Sequence, residues 1–298
     1  MKLRTVVCAS GELGFSTLVQ VSSKVTIIAI LVDSSSQKII SWAKENSFPV
    51  FIGNPRKKDF SSIIKKIGDI DLLISINYLF IIEKNLINLP KLMAINIHGS
   101  MLPKYRGRAP HIWAIINGEK SLGITIHQID EGCDTGDIIL QKEIELSKTI
   151  TGGEVLKMFT SEYPLMLSSV IDSLEKNQIV TKVQNNSEAT YFEKRGPEDG
   201  EISWDWEAER IYNWVRALTA PYPGAFTYLN GKKVLIWKIE EAQLSFNSCE
   251  DNGKILKKDR DQLFVKVPNK VLKITHFSQL EDQNIDEGDV FTMRKVYE

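Results

Sequence analysis

The chain has 298 residues, 43% apolar and 25% charged, with 37 basic residues against 38 acidic ones. That length allows one or two domains with a sizeable core, and the composition is that of a soluble globular protein without any compositional extreme. A formal net charge of −1 gives no bulk drive toward nucleic acid, although a neutral total can hide a local basic patch. Cys8, Cys133 and Cys249 lie far apart without metal-ligand spacing, as expected of reduced thiols in a cytoplasmic protein. The apolar run in MKLRTVVCASGELG is too short for a signal peptide. No stretch approaches the ~18 apolar residues of a membrane span, so no membrane association is expected.

In chain order, Thr5–Ala9 reads as a β-rich run, followed by Gly11, Gly14 and a helical segment to about Ser22. Val25–Val32 is a second buried strand, Lys38–Asn46 a helix, Val50–Ile52 a short strand, Phe60–Ile67 a helix and Asp71–Ser75 another strand. Met93–Ile97 follows, before the chain turns through Gly99 and Pro103. This β-α alternation predicts a Rossmann-like α/β domain with a parallel sheet and helices on both faces. Ligands of such sheets sit outside the carboxyl ends of the strands, which points to the loops after Ala9, Ser75 and His98. Leu122–Ile129 and Ile138–Ile144 read as two further strands joined by the polar turn DEGCDTG, and Gly153–Glu175 as a long helix. From about Thr190 the strands shorten, with turns at Asn230-Gly231 and Asn252-Gly253 and one helical segment near Ala208–Ala217. The expected organisation is a catalytic domain over residues 1–195 and a smaller, mostly β, barrel-like domain over 196–298. A homodimer through the β-rich part is compatible with this plan.

The densest unusual stretch is INIHGSMLPKYRGRAPHIWAIINGE, Ile95 to Glu119. Asn96 and His98 stand two apart at the end of an apolar strand, so their side chains project from the same face. A carboxamide donates to a developing oxyanion, and an imidazole moves protons near neutrality. The pair suits attack of a neutral nucleophile on a carbonyl. The loop IDEGCDTGDI offers four acids, Asp130, Glu131, Asp134 and Asp137, to orient His98 and favour its imidazolium. Spacing does not choose among them. Gly132 and Gly136 are expected to give this loop its backbone freedom. An Asn-x-His at a strand end is also the pattern of a satisfied polar pair. No Gly-x-Ser-x-Gly elbow marks a serine hydrolase. His98, His111 and His127 lack tight ligand spacing, so no metal is expected. Gly11-x-x-Gly14 is a weak form of a nucleotide loop, and YRGRAP is either a basic ligand clamp or a solvated loop. Trp204, Trp206 and Trp214 fit core positions better than a base-stacking platform.

These residues resemble the folate-dependent formyltransferase family. NIHGSMLPKYRGRAP is similar to the family's Asn-x-His-x-Ser-Leu-Leu-Pro-x-Tyr-Arg-Gly signature, and GITIHQIDEGCDTGDII to its companion Asp loop. The resemblance implies that Asn96 stabilises a tetrahedral intermediate, that His98 handles protons, and that Asp134 is the carboxylate acting on His98. It implies N10-formyltetrahydrofolate as co-substrate and no metal. The pterin would lie against Phe80, Ile81 and Ile82 and the loop Asp130, Glu131, Gly132, Cys133 and Asp134, with Arg108 nearby.

Among the branches of the family, the donor-hydrolysing one lacks YRGRAP. The purine-precursor branch has a single domain and Pro where this chain has Gly99. The methionyl-tRNA branch shares the two-domain plan but usually carries a long basic loop after the second strand. Here DSSSQKIISWAKE moves quickly from Val32 into a helix and is nearly uncharged, whereas a tRNA needs several Lys or Arg against its phosphates. The chain is most similar to the nucleotide-sugar branch, in particular to the domain acting on UDP-4-amino-4-deoxyarabinose. That similarity continues through YFEKRGPEDGEISWDW and VRALTAPYPGAF at Arg195, Pro197, Trp204, Arg216, Pro223 and Gly224. It implies a UDP- or dTDP-linked amino sugar as partner and a place in surface-glycan (O-antigen) biosynthesis, with no nucleic acid and methionyl-tRNA formylation as the alternative. The differing first loop CASGELG is expected to meet the sugar or nucleotide through Gly11 and Glu12, with Tyr105 lining the site and Arg195 or a Lys pairing diphosphate oxygens.

Overall fold

The computed structural model describes residues 2–57, 60, 62, 64, 68–279 and 284–294. The chain divides into two compact units. The first comprises Met1–Pro110, Leu122–Ile144 and Leu156–Phe192; the second comprises His111–Ser121, Glu145–Val155 and Glu193–Glu298.

The first unit is built on a seven-stranded sheet in the order β3-β2-β1-β4-β5-β7-β8. Its strands are β1 (Arg4–Ala9), β2 (Thr26–Val32), β3 (Val50–Ile52), β4 (Leu72–Ile76), β5 (Met93–His98), β7 (Ser121–Gln128) and β8 (Ile138–Glu145). Helices α1 (Gly11–Val21), α2 (Gln37–Glu45) and α3 (Lys84–Ile87) connect the early strands, α4 (Pro110–Ile116) comes before β7 in the chain, and α5 (Gly152–Glu175) follows β8. The helix expected over Phe60–Ile67 falls largely outside the described residues.

Near-continuous Val, Ile and Leu runs make β1, β2 and β4 buried on both faces, as parallel strands covered by helices must be. Val6, Ile28, Leu31, Phe60, Leu73 and Leu86 form one apolar cluster. Each such side chain stabilises the fold by about 1.5–3 kcal/mol. Strands β1, β2, β3, β4 and β5 run parallel. The parallel sheet expected from the β-α alternation is present over these strands, and β7, which lies beyond that alternation, pairs antiparallel with β5. The connection between those two strands does not make the crossover that a parallel neighbour would need.

The order of strands reverses at β1, with β2 on one side and β4 on the other, which opens a crevice at their carboxyl ends. Gly14 lets α1 approach that crevice closely: a Cβ there would stand 3.1 Å from the Ile76 carbonyl oxygen.

In the second unit, five antiparallel strands lie in the order β10-β11-β14-β13-β12. They are β10 (Ala225–Leu229), β11 (Lys232–Ala242), β12 (Ile255–Asp259), β13 (Gln262–Lys266) and β14 (Val271–Gln279). Asn230 and Gly231, both at positive φ, form the two-residue turn joining β10 to β11. Helix α6 (Ala208–Leu218) buries the apolar stripe Ile211, Trp214, Val215 and Leu218, and towards its carboxyl end Asn213, Arg216 and Ala217 as well. Trp204 stacks on Phe291 at 5.4 Å and donates to Thr227 Oγ1 at 2.9 Å. Trp204 and Trp214 are thus core residues. Among the described residues no helix is long and apolar enough to cross a membrane.

Candidate active site

Asn96 and His98 occupy the carboxyl end of β5, on one face of the sheet as their spacing of two dictates. The antiparallel register places Asn96 opposite His127 and His98 opposite Thr125. The turn after β5 is held from β7 and β8. Thr125 Oγ1 donates to the Ser100 carbonyl at 2.6 Å, and Gln141 Nε2 donates to the Leu102 carbonyl at 2.9 Å. The chain then forms the two-residue strand β6 (Arg106–Gly107), which pairs with β9 (Tyr191–Phe192). Gly107 lies at φ +103°, and a Cβ there would stand 2.2 Å from the Phe192 carbonyl oxygen, so no other residue fits.

His98 is 7% exposed. Its Nε2 donates to the Tyr105 carbonyl at 2.9 Å, and its Nδ1 faces Asp134 Oδ2 at 3.7 Å, beyond a direct hydrogen bond. Both ring nitrogens thus face acceptors. His127 Nδ1 donates to the Gln128 carbonyl at 2.7 Å, which leaves Nε2 to accept from Asn96 Nδ2 at 3.1 Å. That bond fixes the Asn96 carboxamide with one N–H engaged and the other without a partner among the described residues.

Asp134 sits at φ +54°. Its Oδ2 accepts from the Gly107 amide at 2.9 Å, and its Oδ1 lies 3.6 Å from His127 Nε2. Burial opposes its ionisation, but His98 beside it and the Gly107 amide hold the carboxyl well below the usual carboxylate range.

The other three acids of the loop are engaged elsewhere. Asp130 accepts from the Gly132 amide and from Thr135 Oγ1 at 2.6 Å. Glu131 pairs with Lys84 at 2.7 Å. Asp137 accepts from Thr181 Oγ1 at 3.4 Å. Gly132 and Gly136 do not supply the left-handed backbone, which falls on Asp134. Gly136 is instead small by necessity, since a Cβ would stand 2.1 Å from the Gln128 carbonyl oxygen. Burial first, and then the Asp134 charge, push the Cys133 thiol up to about 11, which disqualifies it as a thiolate at neutral pH.

The remaining predicted positions are placed as follows. Ile81 is 61% exposed, whereas Ile82 is in the apolar cluster and Phe80 packs edge-on against Tyr78 at 5.5 Å. Arg108 donates to the Leu79 carbonyl. Gly11, at φ +66°, opens α1 at the carboxyl end of β1 and donates to Ser36 Oγ at 2.8 Å. Glu12 is exposed and pairs with Lys38 at 2.7 Å. Tyr105, at φ +58°, offers its carbonyl to His98 and stacks its ring on Phe192 at 4.7 Å. Arg195 belongs to the second unit. Its guanidinium lies over the rings of Trp113 and Trp214, at 4.8 and 4.3 Å, and donates to the Asp199 carbonyl.

YRGRAP is neither clamp nor solvated loop at its first arginine. Arg106 is 1% exposed and is spent on Gln184, Asn186 and Tyr191. His127, Arg106 and Gln184 are the site residues that pattern reading missed. The alternation TIHQ in β7 carries a signal for His127 only once the register against β5 is known; nothing local singles out Gln184. Among the described residues no group of three His, Cys, Asp or Glu is arranged to hold a metal ion.

The model for the Formyl transferase family matches residues 19–171, and that for its C-terminal domain matches residues 194–294. Over 296 residues the chain is 35% identical to the bifunctional polymyxin resistance protein ArnA of Wigglesworthia glossinidia brevipalpis. The match takes in 96% of this chain and 44% of that protein, so the chain spans under half of its relative's length. It is 36% identical over 236 residues to the methionyl-tRNA formyltransferase of Alkaliphilus oremlandii, covering 78% of this chain and 74% of that one. The fold is shared with an N-formyltransferase from Helicobacter canadensis solved with folinic acid and dTDP-3-aminofucose, with a TM-score of 0.67 and 17% identity over 93% of this chain and all of that one. With the N-terminal model alone taking in just over half of the chain, and the polar cluster at the end of β5 lying inside it, the chain belongs to the formyl transferase family.

Proposed function

We propose that this protein moves the formyl group of N10-formyltetrahydrofolate to the primary amine of a UDP- or dTDP-linked amino sugar, in the cytoplasm, as a step in surface-glycan biosynthesis. The observation that carries the transfer is the cluster at the end of β5: a half-engaged Asn96 amide beside a buried His98 that faces an ionised Asp134.

In this reading the neutral amine attacks the formyl carbon, and the free N–H of Asn96 donates to the oxygen that becomes negative. The new carbon–nitrogen bond leaves an ammonium proton to be shed. His98 accepts it and returns a proton to N10 of the folate as the carbon–N10 bond breaks, giving the N-formylated amino sugar and tetrahydrofolate. Nδ1, which has no acceptor within hydrogen-bond distance, is the atom that exchanges that proton. The Asp134 carboxylate stabilises the imidazolium while it exists. The pterin is held along the exposed Ile81, the Asp130–Asp134 loop and Arg108. Catalytic residues lie in residues 1–195, and the β-rich part over 196–298 serves as an accessory domain.

The choice of acceptor is supported by the link between β2 and α2. It is four residues long, Asp33 to Ser36, and contains no Lys or Arg. Burial opposes the ionisation of Asp33, but hydrogen bonds from Ser35, Ser36 and Ser10 hold its carboxyl down to about 2, so the link carries negative charge. Such a link offers no cation to the run of phosphates that a tRNA presents. The relation to ArnA supports the same choice, and the relation to methionyl-tRNA formyltransferase keeps the second acceptor in the test. Purified protein is incubated with formyl-folate and a panel of UDP- and dTDP-linked amino sugars beside charged initiator tRNA. Formylated amino sugar is the expected product; formylmethionyl-tRNA alone overturns the acceptor.

A further inference from the structure

We propose that Gln184, anchored by Arg106, is a positioning residue that sets the Asp134 carboxylate against His98. The inference rests on reading Asn96, His98 and Asp134 as the transfer site.

Gln184 reaches the site from a segment fifty residues beyond Asp134. Its side chain is 5% exposed and uses both ends of its amide. Nε2 donates to the Asp134 carbonyl at 2.9 Å and to the Gly136 carbonyl at 2.7 Å, the two main-chain oxygens that flank Thr135. Oε1 accepts from Arg106 Nη2 at 2.7 Å and Nε at 3.2 Å. The guanidinium completes its set with Asn186 Oδ1 at 2.8 Å and Tyr191 Oη at 2.6 Å. A buried arginine is ordinarily satisfied by a carboxylate. A glutamate at 184 would meet Arg106 at least as well, but would turn an oxygen toward two carbonyl oxygens. The position therefore needs an amide of this length, with an acceptor end and a donor end.

The consequence falls on Asp134. Its left-handed backbone costs a non-glycine residue energy and persists only where its surroundings impose it. Gln184 holds the carbonyl side of that residue. Arg106 is the neighbour of Gly107, whose amide holds the carboxylate side. The Arg106–Gln184 pair thus ties together the two loops whose tips meet at Asp134, and the same segment takes Tyr105 N at Thr190 Oγ1, 2.8 Å. At 3.7 Å, the gap between Asp134 and His98 is set by these braces and not by a bond of its own.

The test uses the full chain as wild type, Gln184→Glu, Asp134→Asn and the double variant, labelled with 15N-histidine. Spectra read the His98 ring nitrogens, with His276 of the second unit as internal control. In parallel, kcat and KM for N10-formyltetrahydrofolate are measured with the amino-sugar nucleotide turned over in the panel. Gln184→Glu is expected to move the His98 resonances in the direction that Asp134→Asn moves them, leaving His276 in place. It should lower kcat by about 10- to 100-fold with KM for the folate within about threefold. In the Asp134→Asn background the same change should cost less than about threefold, because it acts through the residue already altered. Unmoved His98 resonances in Gln184→Glu, or losses that multiply in the double variant, overturn the positioning role and leave the transfer site intact. Wild-type kcat in Asp134→Asn overturns the transfer-site reading, and this proposal with it. Should Gln184→Glu fail to fold, Arg106→Lys leaves Gln184 in place without its anchor. A smaller shift of the same resonances is then expected, and no shift refutes the proposal.

Discussion

Asn96→Ala separates the chemistry of this site from its architecture. In the structure the Asn96 amide carries two N–H groups, one donated to His127 Nε2 at 3.1 Å and one left for the reacting oxygen. Truncation removes both. The loss of the first is an ordinary neutral hydrogen bond, about 1 kcal/mol of stability. For a domain of this size that corresponds to a Tm lower by roughly 2–4 °C. The loss of the second is felt only in the transition state, where removal of one oxyanion donor costs about 10²–10³ in rate, or roughly 3–4 kcal/mol. The two effects differ enough to be told apart. Single-turnover formyl transfer at saturating donor, measured beside a thermal melt and a folate-binding titration, should show kcat down at least a hundredfold. Folate affinity should stay within about threefold, because no ground-state contact to the donor is lost. Asn96→Asp, of the same shape but without the donor and with a negative charge near Asp134, should be slower still. A purified Asn96→Ala protein with kcat within tenfold of wild type would refute the assignment of this amide as the oxyanion donor.

Three further outcomes follow from the same geometry. His98→Gln keeps a donor toward the Tyr105 carbonyl but carries no exchangeable ring proton, so turnover should fall at least about a hundredfold with folate binding preserved; this is read by kcat beside equilibrium titration. Hydrogen bonds from serine hydroxyls hold the Asp33 carboxyl down to about 2 against an ordinary value near 4, so its contribution to stability is present above about pH 4 and is lost as the pH falls through about 2. Urea unfolding between pH 5 and 2.5 should show a loss in wild type that is smaller in Asp33→Asn, and equal losses would count against it. Gly107→Ala drives a Cβ to 2.2 Å from the Phe192 carbonyl at a left-handed φ; it should unpair β6 from β9 and cost both stability and kcat, while wild-type values of both would show that this backbone is not required.

Much of the fold is written locally in the chain. Uninterrupted Val, Ile and Leu runs identify β1, β2 and β4, because a strand covered on both faces has no polar side to show. The period of two puts Asn96 and His98 on one face, and Asn230-Gly231 makes its turn because both residues accept positive φ. What local periodicity cannot carry is the pairing of distant segments. The antiparallel register of β7 on β5 decides that His127 orients Asn96. The backbone of the 130–137 loop decides which of four acids faces His98, since Asp134 and not a glycine takes the left-handed conformation. Gln184 and Arg106, nearly eighty residues apart, join only when both are buried beside that loop, where each polar atom must find its partner inside the protein. The residue types and their faces were therefore set by the sequence alone, whereas the partners that give Asn96, His98 and Asp134 their orientation and charge were decided by the tertiary structure, because register and burial exist only once distant strands and loops meet.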